Sequence, residues 1–186
     1  IPHSTSSQPM GTDFDYVDEK LEPVVEIYSM HGANEYYCNP RSLYSLYEDG
    51  FVQRALKKGK KTGFIAGGDD HHTHPGSSKV TTLDQEPKAY LRYRPGITAI
   101  KSWDLSLKRL TRNLRKRNCY ATTGEKIIIQ FSLNDKYYMG EEVELKEIPV
   151  FKCLVAGTDI IEKVELIKNN KVIYYFPGSY EVEKFA

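Results

Sequence analysis

The sequence predicts an α/β unit that gives way near residue 126 to a small antiparallel β unit. Three observations predict it. Two short apolar runs, at 23–29 and 64–66, each end in polar and histidine residues and are separated by a helical pattern at 51–58, the repeat of a parallel sheet or barrel. A second helical pattern places Trp103, Leu107, Leu110 and Leu114 at i, i+4, i+7 and i+11. Beyond Lys126 the helical period disappears and apolar runs alternate with turn residues.

In chain order, residues 1–11 form a Ser/Pro/Gly-rich loop with one residue of interest, His3, which by itself reads as a terminal loop histidine. Residues 13–22 are acidic and suit one short helix. The run Val24-Val25-Glu26-Ile27-Tyr28-Ser29 is a strand ending in Met30, His31, Gly32, Ala33, Asn34 and Glu35. Glu26 breaks that run and points opposite Val25 and Ile27, as an exposed strand residue or as part of a site. Residues 36–41 read as loop, Ser42 as a cap for the segment after it, and 51–58 as a helix with Val52, Ala55 and Leu56 on one face, closed by Gly59.

The central stretch is 62–76, T-G-F-I-A-G-G-D-D-H-H-T-H-P-G, which holds three of the five histidines. A short buried strand leads through Gly67-Gly68 into Asp69, Asp70, His71, His72 and His74. In an extended segment Asp69 and His71 converge on one side, and Asp70 and His72 on the other. A carboxylate beside a neutral imidazole suits zinc, manganese or iron, and the glycines let backbone approach a ligand closely. Asp and His also cluster in solvated turns. What favours a site is position, because α/β folds place ligands at the C-terminal ends of their strands.

Residues 76–95 are long, polar and aperiodic, the composition of a lid, a binding loop or a disordered segment. A third strand is expected at 97–100, then a helix from an Asp104 N-cap through Asn118, then a hydroxyl-rich turn at 119–124. The helix carries Lys108, Arg109, Arg112, Arg115, Lys116 and Arg117. A solvated basic face is favoured there over a nucleic-acid or phosphate surface. Strands are expected at 127–133, 137–139, 150–155, 162–167 and 172–176, with turns at Asn134-Asp135 and Asn169-Asn170.

Composition bounds the rest. A chain of 186 residues with 40% hydrophobic residues can build a core, and a formal net charge of +1 argues for neither a nucleic-acid nor a membrane partner. Three scattered cysteines do not form a disulfide framework and favour a reducing, cytoplasmic location. No run approaches a membrane span, and the opening without an initiator Met suggests a piece of something longer.

The segments I-P-H, V-E-I-Y-S-M-H-G-A-N-E, G-F-I-A-G-G-D-D-H, P-G-I-T-A-I and N-C-Y-A-T-T-G-E-K-I together resemble the C-terminal half of the PHP (polymerase and histidinol phosphatase) superfamily, in a branch whose barrel is followed by a β-rich tail. The resemblance implies an α/β fold, the C-terminal portion of a distorted (β/α) barrel at 1–125 followed by an antiparallel β appendage at 126–186. It implies a divalent metal (zinc, manganese or iron) held by His3, Asp69 and His71. Glu26, His31 and Glu35 fall where substrate or ligand-supporting contacts are expected, and Arg117, Tyr120 and Thr122 on a segment near the pocket. Among these Glu26, His31 and Arg117 are the expected catalytic residues, Arg117 as a phosphate contact.

The implied activity is hydrolysis of a phosphate ester by metal-activated water. The family's upstream H-x-H pair does not precede His3, so the chain holds about half of such a site and is expected to be inactive alone. The alternative is a non-catalytic structural or interaction module. Self-association is expected through an open barrel edge or the β tail.

Overall fold

The computed structural model describes residues 1–43, 46–71 and 93–177. His72, His74 and nearly all of the expected 76–95 loop lie outside them. Within them the molecule is a mixed α/β protein, rich in strands, with two α-helices and no closed barrel.

The first sheet is built on β1 (Val24–Ser29), which turns at Met30-His31 into the short β2 (Gly32–Ala33). Helix α1 (Val52–Lys57) then leads to β3 (Gly63–Ala66), which pairs parallel with β1. Val24 and Val25 are both 1% exposed, so β1 is covered on both faces, which its apolar start requires. Phe14, Val25, Val52 and Ala55 form the core, with Val17, Ile27 and Phe64 packed on it. Each large apolar side chain buried there contributes about 1.5–3 kcal/mol of transfer free energy. Gly59, at φ +80°, ends α1 in the left-handed conformation that favours glycine.

On the other edge of β3 lies a hairpin of β4 (Ile97–Ile100) and β5 (Cys119–Thr122), connected through α2 (Leu107–Arg115). The Thr98 hydroxyl bridges to β3, donating to the Ala66 carbonyl at 2.7 Å and accepting from its N–H at 2.9 Å. The chain enters β4 through Gly96, where a Cβ would stand 2.5 Å from the Ala66 Cβ. Only glycine fits that approach.

Two sequence expectations are corrected here. Residues 119–122 form a strand rather than a turn, since its Cys, Tyr and Thr pair in register with Ile97 to Ile100. Helix α2 starts at Leu107 with Ser106 at its N-cap, because the Asp104 carboxylate instead accepts from the Ser106 N–H at 2.9 Å and pairs with Arg109 at 2.8 Å. Trp103 is left outside the helix and 94% exposed.

From residue 126 onward every strand pairing is antiparallel and no helix intervenes among the described residues. Strand β6 (Ile128–Leu133) sits between β7 (Tyr137–Tyr138) and β8 (Phe151–Ala156), while β9 (Lys163–Lys168) and β10 (Lys171–Pro177) form a hairpin. Asn134-Asp135 and Asn169-Asn170 both have positive φ at two successive residues, which suits the right-handed twist of hairpins. Asn170 donates to the Gln53 carbonyl at 3.0 Å and Glu142 pairs with Arg117 at 2.7 Å, tying this part back to the α/β part.

Candidate metal centre

The parallel pairing of β1 with β3 brings their C-terminal ends side by side, and the polar residues beyond each strand meet there. After β3, Gly67 and Gly68 turn the chain, with the Gly67 N–H donating to the Tyr28 carbonyl at 3.1 Å and the Met30 N–H to the Gly68 carbonyl at 3.3 Å. Asp69 then takes φ +51° and His71 φ +58°. Both stand in the left-handed region, which is uncommon outside glycine but tolerated by Asp and His, and the chain there forms a turn instead of continuing β3.

Asp69 and His71 therefore converge through a turn rather than through strand alternation. His71 Nε2 lies 3.0 Å from Asp69 Oδ1, and His31 Nε2 lies 3.3 Å from Asp69 Oδ2 and 2.9 Å from the Asp69 carbonyl oxygen. The two imidazole rings are 5.2 Å apart. His31 is 8% exposed and fixed at the β1–β2 turn, where its N–H donates to the Ser29 hydroxyl at 3.2 Å.

A second cluster shares Asp69. The Pro2 carbonyl accepts the Glu26 N–H at 3.0 Å, which brings His3 beside β1, and ligand atoms of His3, Glu26 and Asp69 lie within 4.8 Å of one another. Those of His31, Asp69 and His71 meet the same limit. Glu26 is only 8% exposed, and among the described residues its Oε1 has no hydrogen-bond partner. Burial first, and then the negative charge of Asp69, push its carboxyl from the usual 4.5 to about 7, against the opposing effect of a hydrogen bond from the Ser4 backbone. Gly67 completes the pocket, since a Cβ there would stand 3.0 Å from Glu26 Oε2.

The structure thus brings together His3, Glu26, His31, Asp69 and His71. It does not bring the others. Arg117 stands at the opposite end of β3, packed over Gly63, with its guanidinium on the Gly140 carbonyl at 3.1 Å and on Glu142. The Tyr120 hydroxyl donates to the Ile127 carbonyl at 2.8 Å and the Thr122 hydroxyl to the Glu125 carbonyl at 2.7 Å, so both hold the β5–β6 corner. Glu35 is half-buried near Glu165, and burial followed by that like charge raises its pKa. Cys119 is buried, with its thiol pushed up to about 11, which leaves it unreactive near neutrality.

The donor set is of mixed imidazole and carboxylate type, which suits zinc, manganese or iron rather than calcium or copper(I). A buried carboxyl oxygen without a partner, facing a histidine and a second carboxylate, is what a cation would satisfy.

The chain is homologous to uncharacterised Chlamydia proteins. It is 33% identical over 196 aligned positions to one from Chlamydia pneumoniae, covering 98% of this chain and 30% of the relative. It is 34% identical over 190 positions to one from Chlamydia muridarum, covering 95% of this chain and 29% of the relative. The chain therefore spans less than a third of the length of the curated relatives it matches. No family model and no solved structure matches it.

Proposed function

We propose that this chain contributes one wall of a metal centre with two cation positions that share Asp69, and that the complete site hydrolyses a phosphate ester. One position would be held by His31, Asp69 and His71, the other by His3, Glu26 and Asp69. The observation that carries this reading is the sharing itself, a single carboxylate with one donor triad on each side and, in one of them, a buried Glu26 whose Oε1 has no hydrogen-bond partner among the described residues. The resemblance to the PHP superfamily supports the choice of a phosphate ester.

Bound divalent metals would lower the pKa of a coordinated water towards about 7 and balance the charge that grows on phosphoryl oxygens. The chain's own residues orient and hold protons. Asp69 presents one carboxylate oxygen to His71 and the other to His31, which fixes both rings. Each ring must offer a neutral nitrogen to a cation, so binding displaces a proton from any Nε2 that carries one. Glu26 keeps its proton up to about pH 7 while no cation is present and becomes a ligand on ionising.

Five donors fall short of two complete coordination shells of roughly four to six ligands each. The chain alone should therefore turn over little substrate. With p-nitrophenyl phosphate and added manganese or zinc, the expected result is negligible hydrolysis by residues 1–186. A full-length Chlamydia relative should show metal-dependent hydrolysis that is lost when the residue aligned with Asp69 is replaced by Ala. Hydrolysis by the relative that survives both chelation and that substitution would sink the phosphoesterase reading.

A further inference from the structure

At the end of β3 remote from the metal centre, α2 and the β7 turn enclose a groove of about 920 Å3. Its chemistry is the reverse of the centre's. Leu110 and Leu114 are half-buried on the side of α2 that faces β4, while Lys108, Arg112, Arg115 and Lys116 are all exposed. On a helix these four project within a sector of about 100° along about 12 Å, a broad outward ridge whose Arg112, Arg115 and Lys116 line the groove and whose Lys108 extends it beyond the groove. Among the described residues none of the four has an ion-pair partner, whereas the neighbouring Arg109 is held by Asp104 and Arg117 by Glu142.

Aromatic groups stand at the margins of this ridge. Trp103 is 94% exposed, and Tyr138 is 47% exposed with the Lys101 ammonium 4.1 Å from its ring centroid. The acids of the groove are already engaged, Glu142 by Lys61 and Arg117, and Glu141 by the Tyr138 N–H at 2.8 Å. Arg112, Arg115 and Lys116 belong to the last turn and C-cap of α2, where they complement the helix dipole, while Lys108 in the first turn extends the basic face beyond that effect.

We infer that this groove binds a single-stranded nucleic acid, with the ridge of Lys108, Arg112, Arg115 and Lys116 along the phosphates and Trp103 and Tyr138 as stacking platforms for bases. Unpaired cations in a line match a repeating phosphate backbone better than one isolated phosphate, and exposed aromatic faces accept any base. Leu105 and Leu107 are also exposed beside Trp103 at the start of α2, so an anionic membrane is the competing partner that the vesicle measurement below separates. The groove sits beyond Gly63 at the start of β3 and the metal centre beyond Ala66 at its end, so this surface is separate from the hydrolytic proposal and does not depend on it.

The test uses a fluorescently labelled oligothymidylate titrated into residues 1–186 across a range of salt concentrations. Four phosphate contacts predict a plot of log K against log salt with a slope of about −3. Arg112→Glu with Arg115→Glu should weaken binding more than tenfold and flatten the slope by roughly 1.4, the share of two contacts. Trp103→Ala should weaken it about tenfold with the slope unchanged, since stacking releases no counterions. All three positions are exposed, and circular dichroism would verify that the variants fold. Absence of binding at low salt would overturn the inference. So would binding indifferent to Trp103→Ala and matched by heparin, which would make the ridge a general polyanion surface, or adsorption to phosphatidylserine vesicles without oligonucleotide binding.

Discussion

At the C-terminal end of β3 the ionisable groups are few and turned towards one another, with Glu26 and His31 buried and His3 and His71 open to solvent, whereas at its N-terminal end they are many, exposed, and either paired across the surface or facing solvent. Glu26 and His31 are each 8% exposed, and Asp69 serves both of their clusters. Around α2 the closest contacts are surface pairs such as Asp104 with Arg109 and Glu142 with Arg117. Counting charges along the sequence would direct attention to the helix. Burial without a partner marks Glu26 Oε1, Thr5 Oγ1 and Asn118 Oδ1 among the described residues, and of these Glu26 lies in a cluster of metal-ligating side chains, where a cation would relieve the cost.

Each end can be perturbed on its own. The larger effect belongs to Glu26. An acid whose pKa is raised in the fold prefers to be neutral there, so its contribution to stability is complete below about 4.5 and is lost as pH rises through about 7. In the metal-free chain this amounts to a loss on the order of 3 kcal/mol, and Glu26→Gln should flatten that part of the pH profile of urea midpoints. An unchanged profile in the variant would mean that Glu26 is not buried as described. No comparable dependence is expected from the charged groups around α2.

A smaller effect is expected at the other end, and of a different kind. Gly140 sits at φ +87°, and a Cβ there would lie 1.9 Å from the Lys116 carbonyl oxygen. Gly140→Ala should cost about 2 kcal/mol by thermal or urea unfolding, through a backbone clash and left-handed strain together. It should leave metal binding intact, because the clash is with the end of α2 and not with the strand ends. A loss of metal in this variant would show that the two ends are coupled.

Much of the fold was legible in local chemistry. The step from Phe64-Ile65-Ala66 through two glycines into Asp69 announced a strand that opens on a site, and paired asparagine and aspartate residues announced the hairpins after 126. What escaped needed partners distant in sequence. Strand β5 reads as a turn because Thr122, Thr123 and Gly124 at its end are ordinary in loops, and only the facing Ile97 to Ile100 makes Cys119 to Thr122 a strand. Glu26 looked equally suited to solvent because alternation supposes one wet face, while β1 is covered on both. The sequence names His31 as a catalytic residue but not as a metal-ligand candidate, since Asp69 is 38 residues away and the 5.2 Å approach to His71 exists only once β1 and β3 pair. Arg117 was expected near phosphate, but a residue just ahead of β5 is carried to the wrong end of the sheet.

Metal stoichiometry tests the shared centre most directly. Residues 1–186 would be dialysed against manganese or zinc and measured by elemental analysis, alongside His71→Ala, His3→Ala and Asp69→Ala, with folding checked by circular dichroism. Two cation positions that share Asp69 predict that each histidine variant loses one metal and that Asp69→Ala loses both. A folded Asp69→Ala chain that keeps the wild-type metal content would contradict the account.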